Sequence, residues 1–101
     1  MEHETTLRWI QTWYQTQCNG DWEHTFGIKI TTLDNPGWHL TIDLNETSLQ
    51  GITIPSTLVD NSEKDWYEFK VENSKYEANG DPSKLTLLLE KFREIVEDQS
   101  S

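Results

Sequence analysis

Residues 25–44 read Thr25-Phe26-Gly27-Ile28-Lys29-Ile30-Thr31-Thr32-Leu33-Asp34-Asn35-Pro36-Gly37-Trp38-His39-Leu40-Thr41-Ile42-Asp43-Leu44. Phe26, Ile28 and Ile30 alternate with Thr25, Gly27, Lys29 and Thr31. Trp38, Leu40, Ile42 and Leu44 alternate in the same way with His39, Thr41 and Asp43. A period of two means one face buried and one wet. Between the two runs, Asn35-Pro36-Gly37-Trp38 suits a type II turn, with Pro fixing φ at the second place and Gly supplying positive φ at the third. The stretch is an antiparallel hairpin.

Upstream, Thr5 or Thr6 can cap a helix running to about Cys18. Leu7, Ile10, Trp13, Tyr14 and Cys18 form its apolar stripe, and Trp9 lies off the centre. Asn19-Gly20 stops it, because either residue takes the left-handed conformation that closes a helix. Downstream, Leu49, Ile52, Ile54, Leu58 and Val59 are too scattered for a helix, and a short strand is expected near 49–54. Residues 60–65 read as a polar turn. From Trp66 to Glu72 alternation returns, with Tyr67, Phe69 and Val71 on one face and Trp66, Glu68, Lys70 and Glu72 on the other. Asn73-Ser74 turns the chain into a strand over 75–78, and Asn79-Gly80 breaks it. Asp81-Pro82 is a helix start, with Asp as N-cap and Pro at the first helical position. Leu85, Leu88, Leu89, Phe92, Ile95 and Val96 then repeat at helical spacing.

The order helix, strands, helix predicts an α+β fold: a single domain over 1–101, with an antiparallel sheet of four to five strands flanked by an N-terminal and a C-terminal helix. The ends, about 1–4 and 98–101, are polar and expected to fray. A chain of 101 residues has room for one core. Leu, Ile, Val and Phe number only 23, so the eleven aromatics must supply much of that core.

The net charge is −10. It repels nucleic acid and anionic lipid and favours a basic partner. Residues 1–62 hold eight acids against two bases, together with four of the five tryptophans. No run is long and apolar enough for a membrane span and no leader opens the chain, so the cytoplasm is the default compartment. The single Cys18 excludes an internal disulfide.

Cys18 with His24 and Asp21 invites a nucleophile reading, since a catalytic thiolate needs a base and a group to orient it. A helix C-terminus is the wrong end to activate a thiol, and Cys18 fits better as a small apolar residue on the inner face. His24, Glu23, Asp21 and His39, with His3 as an outlier, lack metal-ligand spacing, so no metal or cofactor is expected. Trp22 lies outside any apolar stripe, between Asp21 and Glu23, and suits either partner contact or loop anchoring. Trp13, Tyr14 and Trp38 follow the stripes and belong to the core. Trp9 and Trp66 fall on polar sides.

Leu7-Arg8-Trp9-Ile10-Gln11-Thr12-Trp13-Tyr14, then Gln17-Cys18-Asn19-Gly20-Asp21-Trp22-Glu23-His24, then Gly27-Ile28-Lys29-Ile30 and Thr32-Leu33-Asp34-Asn35-Pro36-Gly37-Trp38, resemble the immunity protein 53 family. These are small bacterial proteins encoded beside polymorphic toxins. The likeness is close from residue 7 to about 44 and looser at Trp66-Tyr67 and the final helix. It implies a protein without catalytic activity that binds and neutralises a cognate toxin domain. The alternative is a small cysteine-dependent, sulfurtransferase-like enzyme using Cys18 and His24, but no active-site loop for that chemistry surrounds Cys18. No residue roles come with the resemblance. From side-chain chemistry, Asp21, Trp22, Glu23, His39 and Asp43 are the expected partner contacts. A monomer awaiting its partner is the starting expectation.

Overall fold

Alternation along β2 (Gly37–Asp43) buries Leu40 and Ile42 completely and leaves His39, Thr41 and Asp43 on the other side. That pattern organises the computed structural model, which describes residues 2–100. The remaining elements are α1 (Glu2–Gln17), α2 (Trp22–Thr25), β1 (Ile28–Leu33), β3 (Ile54–Ser62), β4 (Asp65–Glu72), β5 (Lys75–Gly80) and α3 (Leu85–Ser100). The five strands form one antiparallel sheet in the order β1-β2-β5-β4-β3. A hairpin (β1-β2) and a meander (β3-β4-β5) thus meet where β5 pairs with β2. Residues 44–53 carry the chain past β5 and β4 to the far edge.

Inward side chains line up across the strands. Leu40 stands opposite Ala78, which stands opposite Phe69, and Ile42 lines up with Tyr76 and Val71 in the next row. On them packs α3, with Leu88, Leu89, Phe92 and Ile95 buried, and beside α3 lies α1. Phe92 is the hub of the core. Its ring meets Trp13 edge-on at 5.0 Å, Tyr76 at 5.1 Å and Trp9 at 5.9 Å. Each such side chain contributes roughly 1.5–3 kcal/mol by leaving water, and edge-on aromatic pairs add to that. The buried Tyr76 hydroxyl donates to the Leu88 carbonyl at 2.7 Å, and burial holds its phenol neutral far above the usual range.

Several expectations need correction. Helix α1 starts before Thr5, and its buried side is rotated from the predicted stripe. Thr6 and Trp13 are buried and Trp9 and Ile10 half-buried, whereas Leu7, Tyr14 and Cys18 are exposed. Two indoles offer more apolar area than Leu and Tyr, so they turn towards Phe92. The 33–37 connection is no type II turn. The Asn35–Pro36 peptide is cis, and Gly37 has no positive φ but belongs to β2. Glycine is required there because a Cβ would stand 2.5 Å from the Gly80 carbonyl oxygen. Residues 49–51 are a turn, 52 and 53 are irregular, and β3 begins at Ile54 and runs through Asp60 to Ser62. Asn79 and Gly80 continue β5, since pairing with both β2 and β4 outweighs their local preference for turns. Asp81 does not cap α3. It closes a separate turn, in which the Lys84 N–H donates to its carbonyl at 3.0 Å, and α3 begins at Leu85. Helix α3 also persists beyond Glu97 to Ser100. Met1 and Ser101 lie outside the described residues.

As expected, Gly20 takes a positive φ (95°) after α1. Asn73 and Ser74, both at positive φ, make the two-residue β4-β5 turn.

Candidate functional site

With α1 and α3 on one side, no element among the described residues covers the opposite face of the sheet. The strand registers place one residue from each strand in a row across that face: Thr31, His39, Asn79, Glu68 and Leu58. The middle of the row is wired by hydrogen bonds. His39 Nδ1 lies 2.6 Å from Asn79 Oδ1, and the Asn79 amide donates to Glu68 Oε1 at 3.3 Å. An amide oxygen only accepts, so His39 carries its proton on Nδ1. Nε2 then faces Glu77 Oε2, 4.0 Å away. Lys70 Nζ bridges Glu72 at 3.2 Å and Glu77 at 3.9 Å. Its hydrogen bond to Glu72, and the charges of Glu72 and Glu77, raise its pKa. A shallow polar depression of about 140 Å³ lies among Ser56, Glu68, Lys70, Glu77 and Asn79.

On this face Asp43, Asp60, Glu68, Glu72 and Glu77 outnumber Lys29, Lys70 and Lys75. At its far side Leu58 is 61% exposed, and Trp66, half-buried, sits across from Asp60. The face is thus an acidic field around a few accessible apolar groups.

The expected contact residues divide. His39 and Asp43 both belong to the open face. Asp43 is partly committed to the fold, since its carboxylate accepts the Gly27 N–H at 3.0 Å and pins the start of β1. Asp21, at the start of α2, is exposed and makes no capping bond. Glu23 folds back on its own loop, accepting the Asn19 and Gly20 N–H groups at 3.0 and 2.9 Å. Hydrogen bonding from its own backbone N–H and from those two groups, against some desolvation, lowers its pKa. Asn19 returns the bond by accepting the Asp21 and Trp22 N–H groups, each at 2.9 Å. The Asn19-to-Glu23 run is thus a self-satisfied loop.

Trp22 must be corrected. It is only 1% exposed, packed near Trp13, Tyr14 and Phe26, so it anchors the loop in the core and presents no ring to a partner. It looked free because its apolar neighbours lie on other elements. Glu68, Asn79 and Leu58 were missed as a group. Alternation had placed Glu68 on the wet side of β4, but the row exists only through strand pairing.

Cys18 is exposed, and its thiol donates to the Tyr14 carbonyl at 3.3 Å, a group that takes no proton from it. Among the described residues no hydrogen bond joins it to His24, and no group of three or more His, Cys, Asp or Glu could hold a metal ion. No helix among them is long and apolar enough to cross a membrane.

No curated protein and no solved structure matches the chain significantly. The model of one family, immunity protein 53, matches residues 7–97, which takes in α2, all five strands and most of α1 and α3. The chain belongs to the immunity protein 53 family.

Proposed function

We propose that this immunity protein neutralises a cognate toxin domain by direct contact, without chemistry of its own, and that the toxin docks on the uncovered face of the sheet. Family membership carries the first half, because an immunity protein implies a toxin partner. The second half is carried by the row from His39 to Leu58. It joins fixed polar groups, an exposed leucine and an excess of acid on a rigid five-stranded platform.

The acids would meet a basic surface on the toxin and speed association, and Leu58 and Trp66 would supply the apolar contact. Asp21, exposed off the sheet at the start of α2, would be a further acidic contact. The protein acts inside the cell that makes the toxin. The test is co-expression of this chain with the toxin domain encoded beside it. Wild type protects the cell. Glu68→Lys and Leu58→Asp, both exchanges on the open face, weaken binding at least tenfold and lose protection. If both variants protect fully and bind like wild type, docking is elsewhere. If wild type neither binds nor protects, the contact mechanism fails as a whole.

A further inference from the structure

The two edges of the sheet are not equivalent. At one edge β3 contains Pro55 and Asp60 and has register shifts between Ile54 and Thr57 and between Asp60 and Ser62. Proline, charge and irregularity are the features by which proteins blunt an edge against pairing. At the other edge β1 has no proline and no register shift, and its one charge is Lys29. Its register with β2 is unbroken from Ile28 to Leu33, and residues 25–33 contain no acid and one base, Lys29, in a chain of net charge −10.

The hydrogen-bond phase of β1 follows from one bond. The Asp43 N–H donates to the Gly27 carbonyl at 3.1 Å, so odd-numbered residues of β1 bond to β2. Ile28, Ile30 and Thr32 therefore direct their N–H and C=O groups away from the sheet, where the strand order among the described residues has no neighbour. Ile28 and Ile30 also line an open, apolar groove of about 370 Å³, together with Leu7, Ile10 and Tyr14 of α1 and Leu89 of α3. Three exposed large hydrophobics converge there: Leu7 (53%), Ile30 (46%) and Tyr14 (38%).

We propose that β1 pairs antiparallel with β1 of a second copy about a two-fold axis at Ile30, joining two sheets into one of ten strands. The segment is self-complementary. With Ile30 opposite itself, Ile28 meets Thr32 and Lys29 meets Thr31, so no like charges are opposed. The outward N–H and C=O groups of both copies then satisfy one another, and the two apolar grooves face each other on the helix side. Assembly stops at two, because the blunted β3 edges are left outermost. This pairing leaves the open face of each copy free.

Sedimentation of the full chain across concentration, in low and high salt, tests the proposal. The expected result is a monomer–dimer equilibrium. A tenfold rise in salt shortens the screening length about threefold and tightens the dimer several-fold, because two acidic bodies repel. Ile30→Lys, at an exposed position, shifts the protein to monomer. Cross-linking gives a second readout. In a Cys18→Ser background, Ile30→Cys should form an intermolecular disulfide on mild oxidation, since directly opposed Cα atoms in a hydrogen-bonded pair stand about 5.5 Å apart. Lys29→Cys should not, because it opposes Thr31 of the second copy. A chain that stays monomeric throughout, a dimer indifferent to Ile30→Lys, or cross-linking at both positions alike overturns the proposal. Toxin protection does not enter this test.

Discussion

The indole N–H of Trp22 donates to the backbone carbonyl of Asn45 at 2.9 Å, binding the loop after α1 to the chain just beyond β2. One ring thus ties three segments: it is buried, touches Trp13 and fixes a carbonyl 23 residues away. Trp22→Ala should destabilise the fold by about 3–5 kcal/mol, as large-to-small core changes do. Trp22→Phe, which loses the donor and part of the ring volume but keeps an aromatic in place, should cost only ~1–2 kcal/mol. Urea unfolding measures both. A Trp22→Ala variant as stable as wild type would contradict the core assignment.

Two glycines ten residues apart should respond unequally to alanine. A Cβ at Gly37 meets the Gly80 carbonyl oxygen at 2.5 Å, and backbone cannot step aside cheaply. Gly37→Ala should cost ~1–3 kcal/mol. A Cβ at Gly27 meets nothing within 4 Å, so Gly27→Ala should stay within about 0.5 kcal/mol of wild type. Thermal unfolding of the pair decides.

Acid sensitivity should centre on Asp81. Burial by itself raises its pKa, but Lys84 at 2.7 Å, the Ser83 hydroxyl and the Trp66 and Ser83 N–H groups outweigh it and hold the carboxyl well below the usual range. A depressed carboxylate stabilises the fold fully above its unfolded pKa of about 3.9, and that contribution fades as pH falls from there towards the folded value. The urea midpoint should therefore decline below pH ~4. Asp81→Asn should lower stability near neutrality by ~2 kcal/mol and flatten the acid decline. An unchanged acid limb in Asp81→Asn would assign the effect to other carboxylates.

Cys18 separates binding from catalysis. Its exposure predicts that the thiol of the native protein titrates with a disulfide reagent without unfolding. Cys18→Ser should leave stability within about 0.5 kcal/mol of wild type and leave toxin protection intact. Turnover of thiosulfate and cyanide by the wild type, lost in Cys18→Ser, would instead favour the enzyme reading.

Charge steering of the toxin should show as an association rate that falls with added salt, opposite in sign to the salt effect on self-pairing. Stopped-flow mixing at two ionic strengths is the measurement. His39→Ala, which frees the Asn79 amide oxygen from its ring partner, should weaken toxin binding with little change in stability. Equal rates at both ionic strengths would remove the electrostatic component.

Much of the fold was legible along the chain. Alternation from Phe26 to Leu44 and from Trp66 to Glu72, and the spacing of Leu85 to Val96, reflect local periods of two and of 3.6. These periods determined the element types and the α+β class. The family signature was legible too, yet much of it proved architectural. Asn19, Gly20 and Glu23 close a loop on themselves, and Trp22 fills the core.

What only the tertiary structure decided is which strands become neighbours and which face stays bare. Every residue of the row from Thr31 to Leu58 has ordinary local surroundings, and nothing within a few positions links His39 to Asn79 or Glu68. The insertion of β5 between β2 and β4 makes that link. It pairs segments nearly forty residues apart, and such pairing is set by how the helices and sheet jointly bury their apolar sides. Sequence by itself determined the elements and their amphipathic sides. The uncovered face and the unpaired edge of β1 are properties of the assembled sheet, because both depend on what lies beside each strand in space.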